Sequence, residues 1–155
     1  MKYLIALVVA VFVWVATSLA VTAVNPAIQV YETRAEFTET RQNLIDAIIG
    51  HGYVIDFNGH VGDMLKRTQD DLGGKQLYHN AEYMVFCSAS MSRKMMEADI
   101  HNIGFCPFVI TVYETSDNPG TIYVAYQKLN SDKNMSPSLI AINEVLDQIA
   151  REATE

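Results

Sequence analysis

Apolar positions divide the chain into one uninterrupted run and a longer body in which apolar and polar residues alternate. The run extends from Tyr3 to Val24, 22 residues without a charged side chain, and Asn25-Pro26 ends it. A helix rises about 1.5 Å per residue, so this run would span about 33 Å and cross the roughly 30 Å apolar core of a bilayer. We therefore expect a signal anchor or signal peptide over residues 1–25 and a single domain over residues 26–155.

The apolar run predicts export, and two outcomes are consistent with it. Lys2 should stay cytoplasmic, so an uncleaved run would insert through residues 3–24 and hold the body on the periplasmic or extracellular side of the cell membrane, as a single-pass protein. Small residues at Ser18-Leu19-Ala20 and Val21-Thr22-Ala23 suit a signal peptidase, so cleavage to a soluble periplasmic protein is the alternative. The run exceeds the usual signal core of about 7–15 residues, which favours the anchor.

The first helix of the body is predicted after a capping box at Thr33-Arg34-Ala35-Glu36. Apolar residues then recur at helical spacing, and Gly50 supplies a left-handed residue to end the helix. The expected apolar face consists of Phe37, Leu44, Ile45, Ile48 and Ile49.

Three later segments also predict helices. The first is a weaker pattern from Val61 to Asp71, which Gly73-Gly74 ends. The second begins with the hydroxyl groups of Ser88-Ala89-Ser90, and the third with Ser136-Pro137, an N-cap followed by proline. Their inward-facing residues are expected to be Met64, Leu65 and Leu72 in the first, Met91, Met95 and Ala98 in the second, and Leu139, Ile142, Val145, Leu146 and Ile149 in the third.

Five short segments have the composition of strands. The last two should form a hairpin, because Asp117-Asn118-Pro119-Gly120 is a turn sequence between β-branched and aromatic runs. The order of elements is therefore β-α-β-(α)-β-(α)-β-β-α, and the bracketed helices could be either parallel crossovers or excursions between antiparallel strands. The predicted strands are Ala27–Glu32, Tyr53–Phe57, Tyr83–Cys87, Phe108–Glu114 and Thr121–Tyr126.

Composition and charge narrow the class of protein. Half of the residues are hydrophobic and 10% are aromatic, which excludes a disordered chain. Eleven Lys and Arg residues against eighteen Asp and Glu residues give a net charge of −7, with no basic stripe to neutralise a phosphate backbone. We therefore expect no nucleic acid partner.

Cys87 and Cys106 are the only cysteines, an even number in a domain that we place in an oxidising compartment. They are candidates for a disulfide, for two separate buried thiols, or for a reactive or ligand-binding pair. The pattern alone leaves these alternatives open.

A possible metal or haem site lies in the same segment. The four histidines lack zinc spacing, but His101 lies near Met95, Met96 and Cys106 in sequence. Thiolate, thioether and imidazole ligands suit Cu(I) or a non-covalent haem iron, and His101 with Met96 is the candidate pair. Core packing of the methionines and local bonding of the histidine is the simpler interpretation. We find no nucleophile with a base and no phosphate-binding glycine loop, so no catalytic residue or definite cofactor is assigned.

Four motifs carry a resemblance to a known family. They are Phe86-Cys87-Ser88-Ala89-Ser90, Met95-Met96-Glu97-Ala98-Asp99, Asn102-Ile103-Gly104-Phe105-Cys106-Pro107-Phe108 and Val112-Tyr113-Glu114. With them the chain resembles the domain of unknown function 302 family, from about Ala27 to Tyr126.

The resemblance implies an α+β fold with a β-α-β(4)-α core. In this fold a curved antiparallel sheet carries inserted helices and a long C-terminal helix, here preceded by the N-terminal apolar helix. It also implies that the strand ending at Cys87 and the strand beginning at Phe108 meet at one edge, which would permit a disulfide between Cys87 and Cys106. The family has no established catalytic residue or cofactor, so no site is inherited.

Two hypotheses about function follow. The first is an exported, membrane-anchored accessory or binding module without its own catalysis, associated with a membrane protein complex or a small ligand. The alternative is a thiol redox protein, or a metal- or haem-carrying protein, that uses Cys87, Cys106 and the Met and His residues between them.

Overall fold

The computed structural model describes residues 25–129 and 135–155 of the chain. The apolar run at residues 3–24, and the anchor or signal peptide expected there, lie outside the described residues. Within the described residues, no helix has both the length and the apolar character that crossing a membrane requires. In chain order the described elements are β1 (Ile28–Thr33), α1 (Phe37–Gly50), β2 (Val54–Gly59), α2 (Val61–Leu72), β3 (Tyr78–Cys87), α3 (Ala89–Ala98), a 3₁₀ helix (Ile100–Phe105), β4 (Phe108–Thr115), β5 (Ile122–Gln127) and α4 (Pro137–Glu152).

The five described strands form one antiparallel sheet in the order β1-β5-β4-β3-β2. The predicted hairpin joins β4 to β5 and pairs Glu114 with Ile122, and Gly120, with a φ of +75°, supplies the left-handed residue of its turn. The α+β class and the antiparallel direction of the strands are confirmed. Helices α2 and α3 are therefore excursions between antiparallel neighbours.

Alternation along the strands gives the sheet an inner face that packs against helices. In β4, Ile110 and Val112 are fully buried, whereas Val109 between Phe108 and Ile110 is 38% exposed. Helices α1 and α4 cover the inner face, and their apolar residues join the strand residues in one core. Burying each large apolar side chain stabilises the fold by about 1.5–3 kcal/mol, so this layer supplies most of the stability. The core residues from the helices include Leu44, Ile48, Met95, Ile142, Leu146 and Ile149.

Asp147 on α4 ties this helix to the β1 edge of the sheet. Its carboxylate accepts hydrogen bonds from the hydroxyl groups of Tyr31 on β1 and Tyr126 on β5, the second at 3.1 Å. Arg151 Nε, one helical turn later, donates to the same carboxylate at 2.8 Å. These contacts fix the position of α4 on the sheet in addition to its apolar packing.

The ends of α1 differ from the prediction. Thr33 is held in the β1 ladder opposite Ile122, so its hydroxyl accepts from the nearby Ala35 N–H and caps no helix. Glu36 is the N-cap and makes no side-chain cap bond, so the predicted capping box is wrong. At the other end, Gly50 is still helical, and the left-handed residue is Gly52, with a φ of +82°.

Helix α2 is confirmed, but two of its three expected inward residues are not inward. Met64 is 45% exposed and Leu72 is 81% exposed. The reason is that α2 packs along β3 on the side of the sheet away from α1 and α4, where no second helical layer covers it in the described part of the chain. Its close approach is at Gly62, where a Cβ atom would lie 2.9 Å from the backbone nitrogen of Ala81.

The side of the sheet opposite the core is called the outer face here. Over β1, β4 and β5 it is formed by alternate residues, most of them apolar or aromatic and partly accessible, with Glu32 and Gln127 as exposed polar members. Two aromatic contacts lie on it, Tyr78 with Tyr113 at 5.8 Å and Tyr113 with Tyr123 at 5.3 Å between ring centroids. The defining residues are Ile28, Val30, Val109, Thr111, Tyr113 and Tyr123.

Candidate functional site

Both cysteines lie in one cleft at the end of the sheet where β3 stops and β4 starts. We call it the thiol cleft. It is open to solvent and has a volume of about 910 Å³. Its defining residues are Tyr53, Asp56, Cys87, Ser92, Met96 and Cys106.

The local sequence explains why the two cysteines meet. Cys87 ends β3 because Ser88 begins α3, its hydroxyl accepting from the Met91 N–H at 3.4 Å. The chain then returns through the 3₁₀ helix, and Cys106 follows it directly. The antiparallel pairing of Phe86 with Phe108 places the end of β3 beside the start of β4, as the resemblance implied.

Both thiols are free, Cys87 exposed and Cys106 half-buried. Burial, and then the neighbouring Cys106 thiol, raise the pKa of Cys87. A backbone hydrogen bond from Phe108 acts in the opposite direction but does not reverse the shift. At neutral pH Cys87 is therefore a thiol rather than a thiolate.

Ser92 and Met96 on α3 supply further polar and sulfur atoms to the cleft. They are four residues apart, so they lie on the same face of the helix. The Ser92 hydroxyl oxygen is 3.2 Å from the Cys106 sulfur, and Met96 is half-buried at the cleft wall.

His101 and Met96, the candidate metal pair, are placed differently from each other. Met96 lines the thiol cleft, whereas His101 is exposed on the 3₁₀ helix, where its backbone N–H donates to Asp99 Oδ1 at 2.9 Å. The histidine that borders the cleft is His51, whose Nε2 lies 3.0 Å from Glu152 Oε1. Among the described residues, no group of three or more His, Cys, Asp and Glu side chains is arranged to hold a metal ion.

The other two methionines of α3 belong to the core side of the helix. Met95 is fully buried within the core, and Met91 packs against that core. The Tyr53 hydroxyl donates to the Met91 sulfur at 3.1 Å, which ties this thioether to a residue that lines the cleft.

A second polar cluster surrounds Glu82 on β3, and no local motif in the sequence predicts it. Arg41 Nε on α1 and Asn58 Nδ2 on β2 donate to Glu82 Oε2 at 2.6 and 2.9 Å. His60 Nδ1 lies 3.5 Å from the other carboxylate oxygen. Burial raises the pKa of Glu82, but the hydrogen bonds from Arg41 and Asn58 outweigh it and lower the pKa below its ordinary value. The cluster joins α1 to two strands, and its paired charges give it a structural role.

A wide hollow lies on the outer face. It has a volume of about 650 Å³, and its lining includes Asn25, Ile28, Tyr113 and Tyr123. Asn25 is the first residue after the apolar run in sequence and the first that the structure describes, so this surface lies where the described chain begins. Sequence alternation on β1, β4 and β5 could have identified this face, because each strand has a second set of apolar or aromatic residues opposite its core-facing set.

The fold and the cleft define a small α+β domain with an antiparallel sheet, a form seen in known proteins. Residues 29–154 match the family model described as Domain of unknown function DUF302. This span is most of the chain, so the chain belongs to that family. No curated protein matches the chain.

A solved structure shows the same fold. It is described as a crystal structure of an uncharacterized conserved DUF302 protein from Bacillus stearothermophilus, and its TM-score is 0.67. The match covers 83% of this chain and 99% of that one, at 13% sequence identity. At this identity the likeness concerns the fold and says nothing about activity.

Proposed function

We propose that the protein is an exported, membrane-held accessory module that binds a membrane protein partner and catalyses no reaction of its own. The outer face of the sheet carries this proposal. It is mainly apolar and aromatic, and Val109 near one end of it is 38% exposed although β4 is the middle strand of the sheet. Aromatic residues are enriched in protein interfaces relative to the rest of the surface.

The position of the apolar run supports a partner in the same membrane. Asn25 borders the hollow on the outer face, and β1, with Ile28 and Val30 on that face, begins three residues later. A domain tethered at this point would present the outer face close to the bilayer, where other membrane proteins are at a high effective concentration. The occupant that fits is the apolar extramembrane surface of an integral membrane protein.

A charge placed on the outer face should abolish this association. We expect Val109→Arg to reduce the recovery of the partner about tenfold or more, because a desolvated interface tolerates no unpaired guanidinium. The measurement is chemical cross-linking of the full chain in its own membranes, followed by mass spectrometry of the cross-linked species.

Ile140→Arg is the matched control. Ile140 on α4 is 42% exposed, close to the value for Val109, but it lies away from the outer face. The same cross-linked partner should therefore be recovered with Ile140→Arg as with the unchanged chain. Equal recovery from both variants, at equal amounts of folded protein, would contradict the proposal.

A second candidate function is a carrier of a soft ligand at the thiol cleft. The observation that favours it is that two free thiols and the Met96 thioether line one open cleft. Under this alternative the outer face would be the docking surface and the cleft the cargo site, so the two functions can be tested independently.

A further inference from the structure

We propose that the thiol cleft is a Cu(I) site whose ligands are the sulfur atoms of Cys87, Cys106 and Met96. This inference deepens the carrier function and rests on it. It differs from the pair expected from the sequence, because Met96 is retained and His101 is replaced by the two thiols.

The donor set is the first argument. Thiolate and thioether sulfurs are soft ligands, and soft ligands select Cu(I) over the hard cations that prefer carboxylate and water. A structural zinc ion needs four nitrogen or sulfur ligands, and the described residues provide no such group here. Cu(I) is satisfied by a lower coordination number, which two thiolates and one thioether can supply.

The surroundings of the sulfurs are the second argument. The Phe108 backbone N–H points to Cys87, and the Ser92 hydroxyl lies 3.2 Å from the Cys106 sulfur. Both can donate to a thiolate once a metal has displaced its proton, which is the role of outer-shell partners in metal sites. Cys87 also immediately precedes the Ser88 N-cap of α3, so the positive end of that helix favours the anionic complex that two thiolates form with Cu(I).

Access is the third argument. Cys87 is exposed and Cys106 and Met96 are half-buried in a cleft that is open to solvent, so an ion can reach the site without a rearrangement of the fold. On binding, two S–H bonds break, two Cu–thiolate bonds and one Cu–thioether bond form, and two protons leave to solvent. The copper stays in the Cu(I) state throughout, so the step needs no oxidant or reductant.

The test is a titration of the reduced full chain with Cu(I) under anaerobic conditions, in competition with a chromogenic Cu(I) chelator. We expect one Cu(I) per chain and the ultraviolet charge-transfer absorption of Cu(I)–thiolate bonds. Cys87→Ser and Cys106→Ser should each abolish the absorption, and Met96→Leu, which conserves volume, should weaken binding about tenfold.

Two variants serve as controls. Met64→Leu removes an exposed thioether on α2, and His101→Ala removes the imidazole outside the cleft. Neither should change stoichiometry or affinity. Thermal unfolding of each variant establishes that it is folded before its titration is interpreted.

Several results would overturn the proposal. The first is that the reduced, folded chain fails to withdraw Cu(I) from the chelator. The second is that the chain binds a Zn(II) ion that Cu(I) cannot displace. The third is that His51→Ala lowers the affinity for Cu(I) as much as Cys106→Ser does. Isolation of the chain with Cys87 and Cys106 joined in a disulfide, without metal uptake after reduction, would overturn it in favour of thiol redox chemistry. The cross-linking experiment at Val109 is unaffected by any of these results, so failure of the copper site and failure of the accessory function are distinguishable.

Discussion

Asp147 carries a charge, accepts three hydrogen bonds and lies between helix α4 and the sheet. Burial alone would raise the pKa of its carboxyl group, but the hydrogen bonds from Tyr31, Arg151 and Tyr126 lower it below the ordinary value. Burial, and then the hydrogen bond to Asp147, raise the pKa of Tyr126, so its hydroxyl remains a donor at physiological pH. The carboxylate therefore stabilises the folded chain in its ionised form.

We expect Asp147→Ala to destabilise the fold by about 2 kcal/mol at neutral pH, since it removes charge-assisted hydrogen bonds and leaves two phenol groups without their acceptor. The side chain is 31% exposed, so solvent offsets part of the loss. In thermal unfolding of the full chain the midpoint should fall by about 5 °C. Asp46→Ala on the exposed face of α1 is the control and should change stability by about 0.5 kcal/mol or less.

The effect of Asp147 should depend on pH in one direction. Its folded pKa lies below the unfolded value, so its contribution is complete above the ordinary carboxyl pKa and is lost as pH falls through the lower folded value. The difference between the unchanged chain and Asp147→Ala should therefore shrink at acidic pH. A difference that stays constant down to about pH 2 would contradict this assignment.

The candidate site shows what single residues reveal in a sequence and what they do not. Cys87 and Cys106 stand out because they are the only cysteines, and the resemblance placed them at one edge of the sheet. The sequence predicted His101 and Met96 as a pair and could not show that Met96 alone lines the cleft, because this depends on the helical phase of α3 and on the direction of the 3₁₀ helix after it. The pairing of Glu82 with Arg41 could not be predicted from the sequence, because the two residues are 41 positions apart.

At the scale of elements, the predictions that succeeded rest on short-range chemistry. Ser136 caps α4 through a hydrogen bond from the Leu139 N–H, and the Asp117–Gly120 turn closes the hairpin as expected. The predicted strand at Tyr83–Cys87 was too short, since β3 begins at Tyr78. Polar residues Asn80 and Glu82 interrupt its apolar pattern, and each has a hydrogen-bond partner on another element, Glu114 for Asn80 and Arg41 for Glu82.

Gly62 provides a test of how α2 is held on β3. We expect Gly62→Ala to destabilise the fold by about 1 kcal/mol, because the new methyl group would meet the backbone of Ala81 at 2.9 Å and the strand cannot yield. The gain in helix propensity from glycine to alanine offsets only part of this cost. Hydrogen exchange should be faster at residues 61–72 than in the unchanged chain.

Gly50→Ala is the matched helical control for this experiment. Gly50 ends α1, and a Cβ atom there has no neighbour within 4 Å. The variant should be neutral or slightly stabilised, with unchanged exchange at residues 61–72. If the two variants have the same stability, the close approach of α2 to β3 is not what requires glycine at position 62.

At the scale of the whole molecule, the sheet has two apolar faces and the described helices of the core cover one of them. Helices α1 and α4 bury the inner face, while the outer face stays partly accessible beside the point at which the apolar run ends. Helical periodicity in the sequence predicted the helices that cover the sheet. It did not determine which face of the sheet these helices cover.

Membrane attachment is the prediction that belongs to the whole chain. The run from Tyr3 to Val24 is as long as a spanning helix and longer than a usual signal core, so we expect the mature protein to retain it. The protein should stay in membranes washed at alkaline pH, and its intact mass should correspond to all 155 residues. In the double variant Ala20→Leu and Ala23→Leu, which replaces the small residues of both possible cleavage sites, the intact mass should change only by the two substitutions. The protein should remain in the membrane fraction, since an anchor is not cleaved there. A soluble species that begins near Val21 or Val24 in the unchanged chain, together with an uncleaved precursor in the double variant, would instead establish a signal peptide. The prediction of export would stand, but the partner of the outer face would then have to be a soluble periplasmic protein.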